Sequence, residues 1–372
     1  MLPYSHHSAT LFVDTKAICD NWHHLDGLSD KTCQTGAVVK ADAYGLGMVP
    51  ISLALYKAGC RLFFTARLNE GITLAQAFAA QNNDDARIIV FDGMLSGQEE
   101  AYRTYPLVPV INDLDQLARL KAFAKGAHAP VDVALHLDTA MARLGLEAKT
   151  WDALKGDASW QDGLNIIMLM SHLASADDMS ADQNQTQLAL FHSMTKGLDA
   201  PLSLANSGGS YLGADFQFDV TRPGIALYGL SPNEDEAALK PALRLCADIL
   251  QIRQVEAGTT VGYGATFIAP SPMRLATLGI GYADGFLRHY KDHVTPHING
   301  IACPLVGRIS MDSCVIDISH LSDAQISEAS SATIFDADFT PKDLAQKTGT
   351  ISYEIITSLG ARILRLYDEG DV

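Results

Sequence analysis

The stretch AVVKADAYGLG, residues 37–47, begins as a short apolar run, reaches an amine at Lys40 and breaks on an aromatic, glycine-bearing turn. Successive apolar residues without polar alternation fit a strand covered on both faces, as in a parallel sheet. Seven further runs share this texture: RLFFTA (61–66), RIIVFD (87–92), LVPVIN (107–112), VDVALHLD (131–138), LNIIMLMSHL (164–173), PLSLANS (201–207) and DVTRPGIALYG (219–229). Between most of them lie stretches with helical spacing. NDLDQLARLKAFAKG (112–126) opens on Asn112 or Asp113 as N-cap and closes on Gly126, and ADQNQTQLALFHSMTKG (181–197) has the same character. Eight strands alternating with helices over about 230 residues predict a (β/α)8 TIM-like barrel. No GxGxxG turn follows an early strand, which argues against an open doubly wound sheet.

The texture changes near SPNEDEAALKPAL (231–243), a polar, proline-bearing stretch. Beyond it, LRLCADILQIRQVEAGTTVGYGATF, MRLATLGIGYADGF and ACPLVGRISMDSCVIDIS read as strands with glycine-rich breaks. The expected organisation is a cofactor-binding barrel over 1–235 and a mostly β C-terminal domain over 236–372, with roughly the first 10 residues able to join the β domain.

The chain of 372 residues carries 27 basic and 43 acidic residues, a net charge of −16. That excess repels nucleic acid and anionic membrane surfaces. Six dispersed cysteines form no CxxC pair, no secretory signal is visible, and no apolar run reaches the roughly 20 residues of a membrane span. The expectation is a cytoplasmic protein with reduced thiols.

Chemistry in such a barrel gathers where strands end. Lys40 ends the first strand, His136 and Asp138 the fifth, with Arg143 just after. His172 ends the sixth, Asn206 and Ser207 the seventh, and Arg222 lies within the eighth or at its end, before Pro223-Gly224. The loops NSGGS (206–210) and RPGIALYG (222–229) follow the strands that commonly hold phosphate. Their small residues admit an anion to backbone N–H groups, and Ser207 adds a hydroxyl. An amine near a phosphate site can bond the aldehyde of pyridoxal 5'-phosphate, and burial would favour its nucleophilic free base.

These residues resemble a known family. AVVKADAYGLG is similar to the cofactor-lysine motif of alanine racemases, pyridoxal-phosphate enzymes built from a barrel and a β domain. LDTAMARLG (137–145), SHLASAD (171–177), LANSGGS (204–210), RPGIALYG, VGYGATF (261–267), IGYADGF (280–286), GRISMD (307–312) and ISYEI (351–355) resemble that family in its order. The resemblance implies racemisation of L- and D-alanine in a homodimer with shared active sites. Two bases are needed for the two faces of the substrate. They would be Lys40 and Tyr263 of the partner subunit, with His172 and Arg222 in a relay that lowers the pKa of the phenol. Arg222 would also face the pyridine nitrogen of the cofactor. Tyr44, Ser207, Tyr353 and the backbone of Gly224 and Ile225 would hold the phosphate. Arg143 would sit near the cofactor's phenolic oxygen and the substrate carboxylate, Met311 would meet that carboxylate through its N–H, and Tyr282 would narrow the entrance. No metal is implied.

Two departures stand out. Ala140 occupies a place where the family often has Gly, and His136 stands where it often has a carbamylated lysine that orients the arginine. A neutral histidine supplies no anion, so the support of Arg143 is left open. Rival readings are a metal-dependent hydrolase using His136, Asp138 and His172, a non-catalytic cofactor-binding protein, a decarboxylase, and a racemase of serine, lysine or a broader substrate range. The sequence leaves open whether D-alanine is made for peptidoglycan precursors or broken down.

Overall fold

The computed structural model describes residues 6–127, 129–157, 159–233 and 239–368. The chain forms two compact units, one from Ile18 to Lys240 and one combining the residues up to Ala17 with those from Pro241 onward.

In the first unit seven parallel strands pair in sequence order: Ala37–Val38, Leu62–Thr65, Arg87–Val90, Leu107–Ile111, Val131–His136, Leu164–Met170 and Leu202–Ser203. The eighth, Val220–Thr221, pairs in parallel with Gln34–Thr35, which leads into the first. Asp219 N donates to Leu202 O and Arg222 N to Ala205 O on one side, and Gly36 N donates to Thr221 O and Val38 N to Pro223 O on the other. The ring of strands is thereby closed, as the alternation of apolar and helical stretches predicts. Leu62–Thr65 and Leu107–Ile111 are buried at every position, as strands covered on both faces must be.

Several strands are shorter than the apolar runs suggest. The first stops at Val38, because Ala41 to Tyr44 leave the extended region altogether. The eighth stops at Thr221, and a 3-10 turn, Ile225–Tyr228, follows Pro223, which has no N–H to continue the ladder. The helix Leu114–Ala124 buries Leu117, Leu120 and Ala124, and its cap is Asp113, whose carboxylate accepts from Gln116 N at 2.7 Å. Asn112 instead turns inward.

The second unit is built on the long strand Leu243–Val255. Its first half pairs with Ala9–Asp14 and Ser331–Phe335; after an irregularity between Ile249 and Gln251 its second half pairs with Met273–Leu278. Cys314–Asp317 and Leu305–Val306 extend one side, and Leu364–Asp368 runs parallel to Ala9–Asp14. A small core gathers Val261, Ala269, Met273, Leu275 and Val306. Ser331–Phe335 and the short helix Asp323–Ser327 were not anticipated. Within the stretch expected to join the domains, 231–243, residues 234–238 lie outside the described residues.

Candidate active site

Lys40 begins a turn that few L-residues adopt. Ala41, Asp42, Ala43 and Tyr44 all have φ between 51° and 59° and ψ between 35° and 51°, a left-handed helical turn without glycine. At about 1–2 kcal/mol per residue, such a turn stores roughly 4–8 kcal/mol that surrounding contacts must offset. Ala43 N donates to Val39 O at 2.8 Å, Gly47 N to Asp42 O at 2.8 Å, and Met48 N to Asp42 Oδ1 at 2.7 Å. Ala41 N donates to Glu70 Oε1 at 2.6 Å. The turn puts the amine over the barrel end, 5.8 Å from the Phe91 ring centroid. Burial, then the charge of Arg143, lower the Lys40 pKa from its ordinary value; Glu70 and Asp92 pull it back up. The amine is biased toward the free base.

The same turn carries Tyr44 beneath the loop after the eighth strand. Its ring lies 5.1 Å from that of Tyr228, whose hydroxyl donates to Val38 O at 3.0 Å. Gly224 is required sterically: a Cβ there would lie well inside contact distance of Tyr44 Oη and 3.0 Å from Cζ. Gly224 N and Ala226 N donate to Ser207 Oγ at 2.8 and 3.3 Å. Ser207, Tyr44 and the Gly224–Ile225 turn thus converge, although the Gly224 N–H is directed at Ser207 rather than left open.

Arg222 is 2 % exposed. Its guanidinium donates to Ser203 Oγ, Ser171 O and Leu204 O, none of them an anion. Burial alone pushes its pKa down to about 9. A buried cation with only neutral partners is costly unless a further acceptor meets its remaining N–H groups. His172 is half-buried beside it, and desolvation together with Arg222, Arg143, Lys40 and His136 pushes its pKa well down. Asn206 Nδ2 lies 3.5 Å from His172 Nε2, while Asn206 Oδ1 accepts from Gly209 N at 2.9 Å. Asn206 therefore presents its amide nitrogen to the imidazole. His172, expected with Arg222 as a candidate cation, is biased toward the neutral ring, and Arg222 is the charged member of the pair.

His136 is fixed by a residue the sequence reading had placed only as a cap. Asn112 Nδ2 donates to Phe91 O and Val110 O at 2.8 and 3.1 Å, so its Oδ1 is free to accept from His136 Nδ1 at 2.9 Å. The proton therefore sits on Nδ1 and Nε2 is an acceptor. Burial, Arg222 and Arg143 push the His136 pKa down to about 4. Asp138 orders the following loop by accepting from Met141 N and Ala142 N at 2.9 and 3.1 Å. The loop returns to the strand end through Leu146 N to His136 O at 2.8 Å and Asp138 N to Leu146 O at 3.0 Å. Gly145, at φ 108°, allows this return; a Cβ would meet Asp138 N at 2.8 Å. Ala140 has φ 75°, a conformation that suits glycine and explains why glycine is frequent in this motif. Arg143 is exposed on this loop.

The other predicted residues belong to the β unit. Tyr263 opens a 3-10 turn after Gly262 and is 73 % exposed. Tyr282 and Met311 lie on adjoining loops: Tyr282 N donates to Ser310 O at 3.0 Å and Ala283 N to Met311 O at 2.9 Å. Arg362 braces both loops through Asp284 at 2.8 Å and Asp312 at 2.7 Å. Tyr353 lies in the helix Ser352–Thr357. Sequence reasoning gave Asn112 only as a cap and missed Glu70, Ser203 and Arg362. Only Glu70 had a signal, three residues into the helix after RLFFTA, where a carboxylate caps.

These features fit pyridoxal phosphate. A buried guanidinium lacks an anionic partner among the described residues, a glycine turn and hydroxyls converge as an anion cradle, and a half-buried amine stands at the strand end. Residues 13–232 match the family described as the alanine racemase N-terminal domain, and residues 242–367 the alanine racemase C-terminal domain. A Cereibacter sphaeroides protein named alanine racemase is 42% identical over 360 residues, covering 97% of this chain and 98% of its own. An Agrobacterium fabrum protein named alanine racemase, catabolic, is 40% identical over 362 residues, covering 97% and 92%. The crystal structure of alanine racemase from Bartonella henselae with covalently bound pyridoxal phosphate superposes with a TM-score of 0.89 at 35% identity, covering 97% of this chain and 99% of that one. The biosynthetic alanine racemase from Pseudomonas aeruginosa gives 0.84 at 33% identity, covering 98% and 100%.

Proposed function

We propose that this chain, which belongs to the alanine racemase family and interconverts L- and D-alanine with pyridoxal phosphate, moves the α-proton between Lys40 on one face and Tyr263 of the partner subunit on the other. Bound pyridoxal phosphate supplies the electron sink that lets an amino-acid α-proton leave. The observation that carries the reading is the pairing of a half-buried, free-base-biased amine at Lys40 with the buried cation of Arg222, which has no anionic partner among the described residues.

Lys40, once its nitrogen is released to the site, accepts the proton at Cα from one side. Tyr263 of the partner subunit gives a proton to the other. An unperturbed phenol has a pKa of about 10, and a cation beside it lowers that value. A relay to this tyrosine would run through His172 and Arg222, of which Arg222 is the charged member. Arg222, a donor only, would offer an N–H to the ring nitrogen of bound pyridoxal phosphate, which would moderate the electron sink the cofactor supplies. Ser207, Tyr44, Tyr353 and the Gly224–Ile225 turn hold the phosphate, with Asn206 fixing His172. Arg143 and the Met311 N–H hold the substrate carboxylate, and Tyr282 admits a small side chain by steric exclusion.

A homodimer is supported by apolar side chains exposed on the β unit, Leu250 at 57 %, Ile268 at 59 % and Met311 at 53 %, beside the exposed Tyr263. No described helix is long and apolar enough to cross a membrane. Six free cysteines, five of them buried, accord with a reducing cytoplasm.

Racemisation in deuterated water tests the assignment. Lys40→Ala should abolish the cofactor's bound absorbance band and exchange from both enantiomers, and Tyr263→Phe should suppress deuterium uptake from one enantiomer selectively. Mixing the two inactive variants should restore activity through dimers with one intact site. Equal, independent loss from both enantiomers with no recovery on mixing would refute the shared two-base site.

A further inference from the structure

We propose that Glu70 is a positioning residue for Lys40, its carboxylate clamping the left-handed turn that carries the amine to the helix after the second barrel strand. The proposal rests on the role given to Lys40 above. Glu70 lies three residues into the helix Leu68–Ala79. Its Oε2 accepts from Ala66 N at 2.8 Å and Arg67 N at 3.0 Å. That is ordinary capping, a side chain reaching back to its own helix start. Its Oε1 does something capping does not need. It leaves the helix and accepts from Ala41 N at 2.6 Å, across 29 residues of sequence and one residue past the amine.

That bond sits where the turn is weakest. Ala43, Gly47 and Met48 are tied by Val39 and Asp42. Ala41, at φ 51° and ψ 46°, has Glu70 as its tie. An alanine held in the left-handed region returns to negative φ when released. That rotation turns the peptide between residues 40 and 41 and swings the Lys40 side chain. A charged acceptor on a backbone N–H is among the stronger hydrogen bonds, so one carboxylate can hold the strained residue. The geometry joins three elements: the first strand's end, the second strand's end at Ala66, and the helix start. Glu70 thus couples the place of the amine to two rigid parts of the barrel, while its charge, with that of Asp92, opposes Arg143 and burial at the same nitrogen.

The test is amide hydrogen exchange on the cofactor-loaded full chain, read separately for peptides covering 40–46 and 68–79, alongside kcat and KM. In Glu70→Gln, exchange at 40–46 should rise about 10- to 100-fold, the loss expected for one bond to a charged group, and kcat should fall with KM little changed. Adding Ala41→Gly, which accepts positive φ without strain, should restore much of kcat. Glu70→Asp keeps the charge and the local cap but shortens the reach by one methylene; it should loosen 40–46 and leave 68–79 protected. If either variant loosens only 68–79, or both segments equally, or if Ala41→Gly brings no recovery, Glu70 is a helix cap alone and the proposal is overturned. Exchange at 40–46 is read whether or not Lys40 is the base, so this failure is distinct from failure of the two-base assignment, which the Lys40→Ala experiment decides.

Discussion

Gly224→Ala should damage the phosphate cradle by contact alone. With φ at −128° the backbone there is not left-handed, so no left-handed strain is involved. The added methyl would press on Tyr44 Oη and lie 3.0 Å from Cζ and 3.4 Å from Cε2. Tyr44 cannot swing aside, because it is 7 % exposed, packed against the tilted ring of Tyr228, and fixed at the end of the left-handed turn. Overpacking of this kind costs about 1–3 kcal/mol. In a unit the size of the barrel each kcal/mol moves Tm by about 2–4 °C, so Tm should drop by roughly 2–12 °C. Displacing the hydroxyl also removes a bond to a charged ligand, about 1.5–3 kcal/mol, which weakens cofactor affinity roughly 10- to 150-fold. Thermal melts and cofactor titration of the stripped protein read the two effects separately. Adding Tyr44→Phe removes the closest atom and leaves the ring edge as the nearest obstacle. The double variant should regain more than half of the lost Tm and none of the lost affinity. A Gly224→Ala protein that melts like its parent, or a double variant no more stable than Gly224→Ala, would refute the steric account.

Ala140→Gly should raise Tm by a few degrees: relief of left-handed strain, about 1–2 kcal/mol, outweighs the extra chain entropy of glycine, about 0.5–1 kcal/mol, and an unchanged or lower Tm speaks against strain at φ 75°. His136 has a folded pKa of about 4, against an ordinary value near 6.5. Between those values the unfolded chain binds a proton that the folded one refuses, so stability is full above about pH 6.5 and falls as pH drops toward 4, by up to about 1.4 kcal/mol per pH unit. His172 acts in the same direction. Denaturant melts of His136→Gln should show a shallower loss over that window, by up to one proton's slope; a slope identical to the parent would show that His136 is not the buried neutral base described.

Much of this protein was readable along the chain because its signals are local. Two-sided burial of parallel strands leaves continuous apolar runs, and those runs at regular intervals gave the barrel; Gly-rich stretches after the seventh and eighth strands marked an anion cradle. Lys40, Ser207 and Arg222 could be picked out because strand ends in a closed barrel face one place. What the chain could not state is how backbone and charge respond once distant segments meet. The left-handed turn after Lys40 has no glycine to announce it and exists because Glu70, Asp42 and the packing of Tyr44 offset its strain. The protonation of His136 and His172 follows from desolvation beside Arg222 and Arg143, and from amides of Asn112 and Asn206 that reach the distant carbonyls of Phe91 and Leu173. Sequence alone determined which residues are candidates for the chemistry; tertiary structure decided their conformation, tautomer and charge, because those depend on desolvation and on hydrogen-bond partners that only the closed barrel brings within reach.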